Sequence, residues 1–280
     1  MPGGFSDQEL SEKARRFRVL IIGRANSGKT TILKKICNTT DDPIVYDDRG
    51  KRISNLALKP TRNRGMHDIE SEISFRSSPQ FVFHDSRGFE AGGKEEMEKV
   101  KTFISERSKS KKLQDQIHVI WYCIPMDNDR PVTHAEEEFF SKSVIKKVPV
   151  VLIFTKCEAL QGAAVNKLQN QGLTWEQAVQ GGPEHAEEIL NMVNEVVKQK
   201  PYPPQAHICL QGKLFYQITK LMGLNMYLEL NQPHTTCHDL VKHTAAVLTS
   251  KNLQALFIST QQNSLELAME YSIRCPIHFK

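Results

Sequence analysis

Residues 19–30 read Val19-Leu20-Ile21-Ile22-Gly23-Arg24-Ala25-Asn26-Ser27-Gly28-Lys29-Thr30. The first four form an unbroken aliphatic run, the composition of a strand buried on both faces of a parallel sheet. The next eight fit GxxxxGK followed by Ser or Thr, and an apolar-periodic segment opens directly after them. Strand, glycine-rich turn, helix is the setting in which such a loop cradles phosphate. Glycines let backbone N–H groups close around an anion, and the helix N-terminus adds a partial positive charge. Gly23, Asn26, Ser27, Gly28, Lys29, Thr30 and Thr31 are the expected cradle. Lys29 brings a point charge to the β- and γ-phosphates, and the Thr30 hydroxyl is a ligand for Mg²⁺. The bland alternative, a glycine turn with an exposed lysine, leaves the flanking strand and helix unexplained.

Working outward, Phe81-Val82-Phe83, Ile117-His118-Val119-Ile120-Trp121-Tyr122 and Val148-Pro149-Val150-Val151-Leu152-Ile153-Phe154 are further buried-strand candidates, while Ile69-Glu70-Ser71-Glu72-Ile73-Ser74-Phe75 alternates as an edge strand does. Helices are expected over 28–37 and 94–107, and after Thr133, where Thr133-His134-Ala135-Glu136 has capping-box spacing. Alternating strands and helices predict an α/β fold, a three-layer doubly wound and mostly parallel sheet. Beyond residue 158 the pattern turns helical. Thr174 starts a second capping box, Pro183 is expected to begin a helix, and 239–250 and 252–271 read as two more. Two segments, 206–210 and 226–230, compete for the last strand, and 211–225 between them looks like extra material.

Two more elements complete a nucleotide site. Phe81-Val82-Phe83-His84-Asp85-Ser86-Arg87-Gly88 is a strand ending in Asp-x-x-Gly, in which Asp85 can hold Mg²⁺ and Gly88 can offer its N–H to a γ-phosphate. Ile153-Phe154-Thr155-Lys156-Cys157-Glu158 ends another strand. There Glu158 can accept from guanine N1–H and N2–H₂, a pair that adenine lacks, while the Lys156 stem covers the base beside Thr155. Thr61, in Pro60-Thr61-Arg62-Asn63, is the candidate for a threonine that reaches Mg²⁺ from a switch loop; an ordinary loop threonine is the competing reading. Arg24 and Arg87 either stabilise charge in a transition state or pair with a neighbouring carboxylate.

Through GRANSGKT, DSRG and TKCE the chain resembles the G-domain superfamily of translation-factor-related GTPases. The blocks 84–93, 64–69 and 253–257 look more closely like fungal G-domain proteins, distant relatives of septins and of immune-associated GTPases. The resemblance runs from about Arg18 to Leu267. It implies a G domain over 16–250 with a helical elaboration at about 160–203, between a flexible arm (1–15) and a C-terminal helix and tail (251–280). It also implies GTP and GDP as ligands, Mg²⁺ as cofactor and slow hydrolysis, with Lys29, Arg24 and Thr61 as catalytic candidates. Where many relatives carry NKxD this chain has Thr155 and Glu158, which removes an amide and moves the carboxylate out by one methylene. No glutamine follows Gly88, only Phe89-Glu90, so unaided turnover should be slow. A γ-phosphate would order the loops near Thr61 and 88–93, where an effector protein or a second copy could dock. The rival reading is an ATP-using small-molecule kinase or ATPase on the same scaffold. Its lid would need several arginines, and 160–200 is poor in them.

Composition narrows the classes. At 280 residues, 39% hydrophobic and 25% charged, the chain is long and apolar enough to build a full core. A net charge of +5 is too dilute to point to nucleic acid. No apolar run is long enough to cross a membrane, and the N-terminal residues show no leader pattern. The six cysteines lack paired spacing and read as buried thiols in a reducing, cytoplasmic setting. His234, Cys237, His238 and His243 match no zinc-finger or ribbon spacing, so a helix cap at Thr235 or Thr236 is the better reading of that segment. The basic stretch 13–18 reads as a solvated lead-in to the first strand.

Overall fold

The computed structural model describes residues 16–53, 68–86, 94–128, 130–210 and 237–260. They form one eight-stranded sheet: β1 (Phe17–Gly23), β2 (Ile44–Tyr46), β3 (Arg52–Ile53), β4 (Glu72–Phe75), β5 (Ser78–Asp85), β6 (Val119–Pro125), β7 (Val150–Thr155) and β8 (Ala206–Cys209), in the order β3-β2-β4-β5-β1-β6-β7-β8. The run from β5 to β8 is parallel, and β2, β3 and β4 add an antiparallel flank. Every residue of β1, β6 and β7 is buried, as their uninterrupted apolar sequences require.

Helices cover both faces. Leu20 and Ile22 of β1 join Met97, Val100, Phe103 and Ile104 of α2 (Lys94–Lys109), Phe139 of α3 (His134–Phe139), Leu160 and Ala164 of α4 (Glu158–Asn170), and Val193 and Val197 of α5 (Trp175–Lys198) in one core. The other face packs Val19 and Ile21 against Ile32, Leu33 and Ile36 of α1 (Lys29–Ile36), Leu240 and Val241 of α6 (Cys237–Val247), and Phe257 of α7 (Lys251–Ser259). Trp121 Nε1–H donates to Thr244 Oγ1 at 3.1 Å and ties α6 to the sheet centre.

Several expectations need correction. The 69–75 strand is not an edge: β4 pairs with β2 on one side and β5 on the other. Its alternation arises because it flanks the core rather than crossing its middle. Pro183 does not open a helix but lies inside the 24-residue α5, which starts at the Thr174 cap. Both bonds of that box form: Thr174 Oγ1 accepts from Gln177 N–H at 3.3 Å, and Gln177 Oε1 accepts from Thr174 N–H at 3.0 Å. Arg18 is not a solvated lead-in. It is buried on β1, with Nη2 2.6 Å from Glu72 Oε1 and Nη1 3.1 Å from His84 Nε2. Of the two last-strand candidates, 206–209 forms β8, whereas 226–230 and 211–225 lie outside the described residues, as do the 1–15 arm and 261–280. No helix among the described residues is long and apolar enough to cross a membrane.

Candidate functional site

The carboxyl ends of β1, β5 and β7 converge on one edge of the sheet, which is where an open α/β layer binds its ligand. Gly23 ends β1 at φ +151°, and a Cβ there would stand 2.5 Å from the Cys123 carbonyl oxygen, so only glycine allows this approach. Asn26 and Gly28 adopt left-handed backbone, φ 60° and 83°, and turn the chain into α1. Gly28 caps that helix without any side-chain bond, and its first turn holds no acidic residue. The opening N–H groups of α1 therefore have no intrahelical partner and face a position of positive potential. Thr30 and Thr31 lie in that first turn with exposed side chains, and Asn26 is exposed beside them.

Lys29 is buried at the centre. Its Nζ donates to the Gly23 and Arg24 carbonyls, both at 3.0 Å, and stands 3.9 Å from Asp85 Oδ1. Burial pushes the Asp85 carboxyl up to about 6, with the Lys29 charge opposing the rise. Asp85 Oδ1, Ser27 Oγ and Ser86 Oγ are buried without a hydrogen-bond partner. Three such atoms at the ends of β1 and β5 would be costly in a purely structural turn. They suit a site that receives phosphate oxygens and a divalent cation, so the residues present fit Mg²⁺ held by Thr30 and Asp85.

The end of β7 is fastened to the glycine-rich turn after β1. Thr155 Oγ1–H donates to the Ser27 carbonyl at 2.9 Å, which gives the threonine that replaces asparagine a role in loop geometry. Lys156 follows at φ 56°, a left-handed conformation that a lysine rarely takes and that functional loops often store. Its Nζ meets Asp127 Oδ2 at 2.6 Å. Glu158 is the first residue of α4, half-buried. Thus Gly23, Asn26, Ser27, Gly28, Lys29, Thr30, Thr31, Asp85, Thr155, Lys156 and Glu158 line one edge of the fold. Thr61, Arg87 and Gly88 lie outside the described residues.

Arg24 takes the second of the two roles open to it. Its Nε donates to Glu136 Oε1 at 3.0 Å, and its other nitrogens reach the Arg130 and Pro131 carbonyls. Glu136 is fully buried, and its second oxygen accepts from Thr133 N–H at 2.7 Å and from the Thr133 hydroxyl. The expected capping box at Thr133 is therefore present, and its glutamate serves two partners at once, the helix start with one oxygen and Arg24 with the other. The nearby Tyr122 phenol is pushed well above its ordinary range, first by burial and then by the Glu136 charge. Asp127 and Glu136 are the site residues that the sequence reading missed. The capping spacing marked Glu136 as a helix cap, but nothing local announced an ion pair 112 residues away.

The cysteine expectation also changes. Cys37 and Cys123 are buried thiols, with Cys123 pushed up to about 12 by burial. Cys157 and Cys209, however, are joined as a disulfide with Cα atoms 6.6 Å apart. Among the described residues no group of three or more His, Cys, Asp or Glu side chains could hold a metal ion by itself. A cation here would therefore depend on phosphate oxygens as co-ligands, the usual arrangement for Mg²⁺.

Residues 18–156 match the family model described as the 50S ribosome-binding GTPase. Among solved structures, the crystal structure of an SsGBP mutation variant matches at 13% identity and a TM-score of 0.34, covering 78% of this chain and 60% of that one. This chain thus spans less than two thirds of that protein's length. No curated protein matches the chain. With the GxxxxGK-Thr turn heading α1, Asp85 ending β5 and Thr155-Lys156 at the end of β7 all inside the matched residues, this part of the chain, residues 18–156, is a P-loop GTPase G domain.

Proposed function

We propose that the protein is a guanine-nucleotide-controlled switch that binds GTP and GDP with Mg²⁺ and hydrolyses GTP slowly. The observation that carries this reading is the placement of Lys29, at the head of α1 and 3.9 Å from Asp85, amid buried polar atoms that lack hydrogen-bond partners. Lys29 would leave the Gly23 and Arg24 carbonyls for the β- and γ-phosphates, and the α1 N–H groups would hold the remaining oxygens. Thr30 and Asp85 would hold Mg²⁺, which supplies charge neutralisation on the phosphates when bound. Glu158 would read the guanine edge, and Lys156 would cover the base. Slow turnover is supported by the absence of a water-orienting glutamine after Gly88 and by the engagement of Arg24 with Glu136. An effector protein or a second copy would dock on the loops near Thr61 and 88–93 when a γ-phosphate orders them, in a cytoplasmic setting.

The test is to denature purified protein and identify the released nucleotide by chromatography, with Lys29→Ala alongside. GTP or GDP is expected from the native chain. Lys29→Ala should stay folded yet lose about 3 kcal/mol of nucleotide affinity, roughly 100-fold in Kd. Adenine nucleotide in the eluate, or unchanged affinity in the variant by calorimetry, would overturn the reading.

A further inference from the structure

Cys157 sits at the centre of the base loop, between Lys156 and Glu158 and at the head of α4. Cys209 ends β8, in register with Phe154, and the following Leu210 N–H donates to the Phe154 carbonyl at 2.8 Å. Two adjacent strand ends are therefore pinned side by side. Their Cα separation of 6.6 Å lies within the span that a disulfide bridges without moving backbone. The pair differs from Cys123, which is sealed inside β6 and inert. Cys157 is buried, whereas Cys209 is half-buried on a strand that no other described strand covers on its outer side.

We propose that Cys157 and Cys209 form a reversible thiol–disulfide modification site that sets the rate of guanine-nucleotide release. This rests on the reading of Thr155, Lys156 and Glu158 as the base loop. The chemistry balances with a small-molecule disulfide such as oxidised glutathione as co-reactant. The Cys209 thiolate attacks it, forming a mixed disulfide and expelling one glutathione thiolate. The Cys157 thiolate then attacks Cys209 Sγ, closing the protein disulfide and expelling the second. Two electrons pass from the pair to the oxidant, and each departing thiolate takes up a proton. Closure joins the base loop covalently to β8 and holds the left-handed Lys156 and the start of α4 in place. A preorganised base loop releases its ligand more slowly. In a reducing compartment the bond is transient, which suits regulation rather than stability.

The experiment uses the full chain equilibrated with reduced or oxidised glutathione. Remaining thiols are alkylated, the disulfide is mapped by peptide mass, and release of fluorescent GDP is followed by stopped flow. The oxidised form should contain the Cys157–Cys209 peptide pair and release GDP at least about threefold more slowly. Cys209→Ser should erase that redox difference and release GDP at the reduced-form rate. Cys209→Ala serves equally if the serine variant misfolds by circular dichroism. Failure of the pair to form under oxidised glutathione, or formation with an unchanged release rate, overturns the proposal. Absence of guanine-nucleotide binding in both redox states overturns the base-loop reading and the proposal with it. Binding of fluorescent GDP in the reduced form tells that failure apart from the other two, and the mapped disulfide separates those two from each other.

Discussion

Arg24 and Glu136 form the most deeply buried ion pair among the described residues, the arginine side chain 15% exposed and the glutamate fully buried. Each is costly alone: removing one partner leaves a desolvated charge that only the Thr133 and carbonyl contacts offset. Arg24→Ala is expected to cost about 3 kcal/mol of stability in urea unfolding, and Glu136→Gln somewhat less. The double variant should cost clearly less than the sum of the two, because neither charge is then stranded. Strict additivity would show that the two side chains act independently. Base choice is a second question at this scale. Glu158→Ala should weaken GTP binding by about tenfold or more while leaving ATP binding little changed, since only guanine presents two donors to a carboxylate. Equal losses for both nucleotides by calorimetry would remove Glu158 from base reading.

At the scale of elements, α4 and α5 pack so closely that a side chain at Gly182 would force a shift and one at Gly181 would be tight. A Cβ on Gly182 would fall 2.8 Å from Val165 Cγ2, and one on Gly181 would fall 3.3 Å from Leu168 Cδ1. Gly182→Ala should therefore destabilise the protein by about 1–3 kcal/mol, measured as a lowered Tm, although alanine is the better helix former. A raised Tm would mean that the helices part without cost. The same segment shows where the sequence misled. Pro183 signals a helix start when met alone, but the box at Thr174 places a start earlier, and the helix runs through. Proline leaves the Val179 carbonyl without its bond, and the two preceding glycines give the ring room. Conversely, β1, the phosphate loop and α1 were legible because strand, turn and cap are contiguous and each residue type has a local reason. Asp127, Glu136 and the β2–β3 flank were not. The first two act through partners distant in the chain, and the strands are of three and two residues, too short to show a period.

Across the whole molecule, two histidines make folding acid-sensitive. His118 Nδ1 accepts from Arg18 N–H at 2.9 Å while its Nε2–H donates to the Leu113 carbonyl at 2.9 Å, so the ring is held neutral. Burial, with Arg18 adding to it, brings His118 down to about 4 and His84 to about 3. Both folded values lie below the ordinary value of 6.5, so the unfolded chain binds more protons between them. Stability from these rings is fully present above pH 6.5 and is lost as pH falls toward 4 and then 3. Between pH 6.5 and 5 each should cost about 2 kcal/mol. Urea unfolding at several pH values checks this, and His118→Asn should flatten part of the slope. A slope that stays steep in that variant would assign the acid loss to other groups.

The strand order has a consequence for biogenesis. Phe17 pairs with Phe81, and Val19 with Val119, so no hairpin of neighbouring residues can assemble the middle of the sheet. While the chain emerges from the ribosome, β1 must wait for β5 and then for β6. The turn that follows β1 lacks its wall at Cys123 until residue 123 has been made. Closing such long loops before any contact rewards them slows assembly. The chain therefore cannot shape its nucleotide cradle until nearly half of it has been synthesised, and its apolar first strand stays in need of shelter until then.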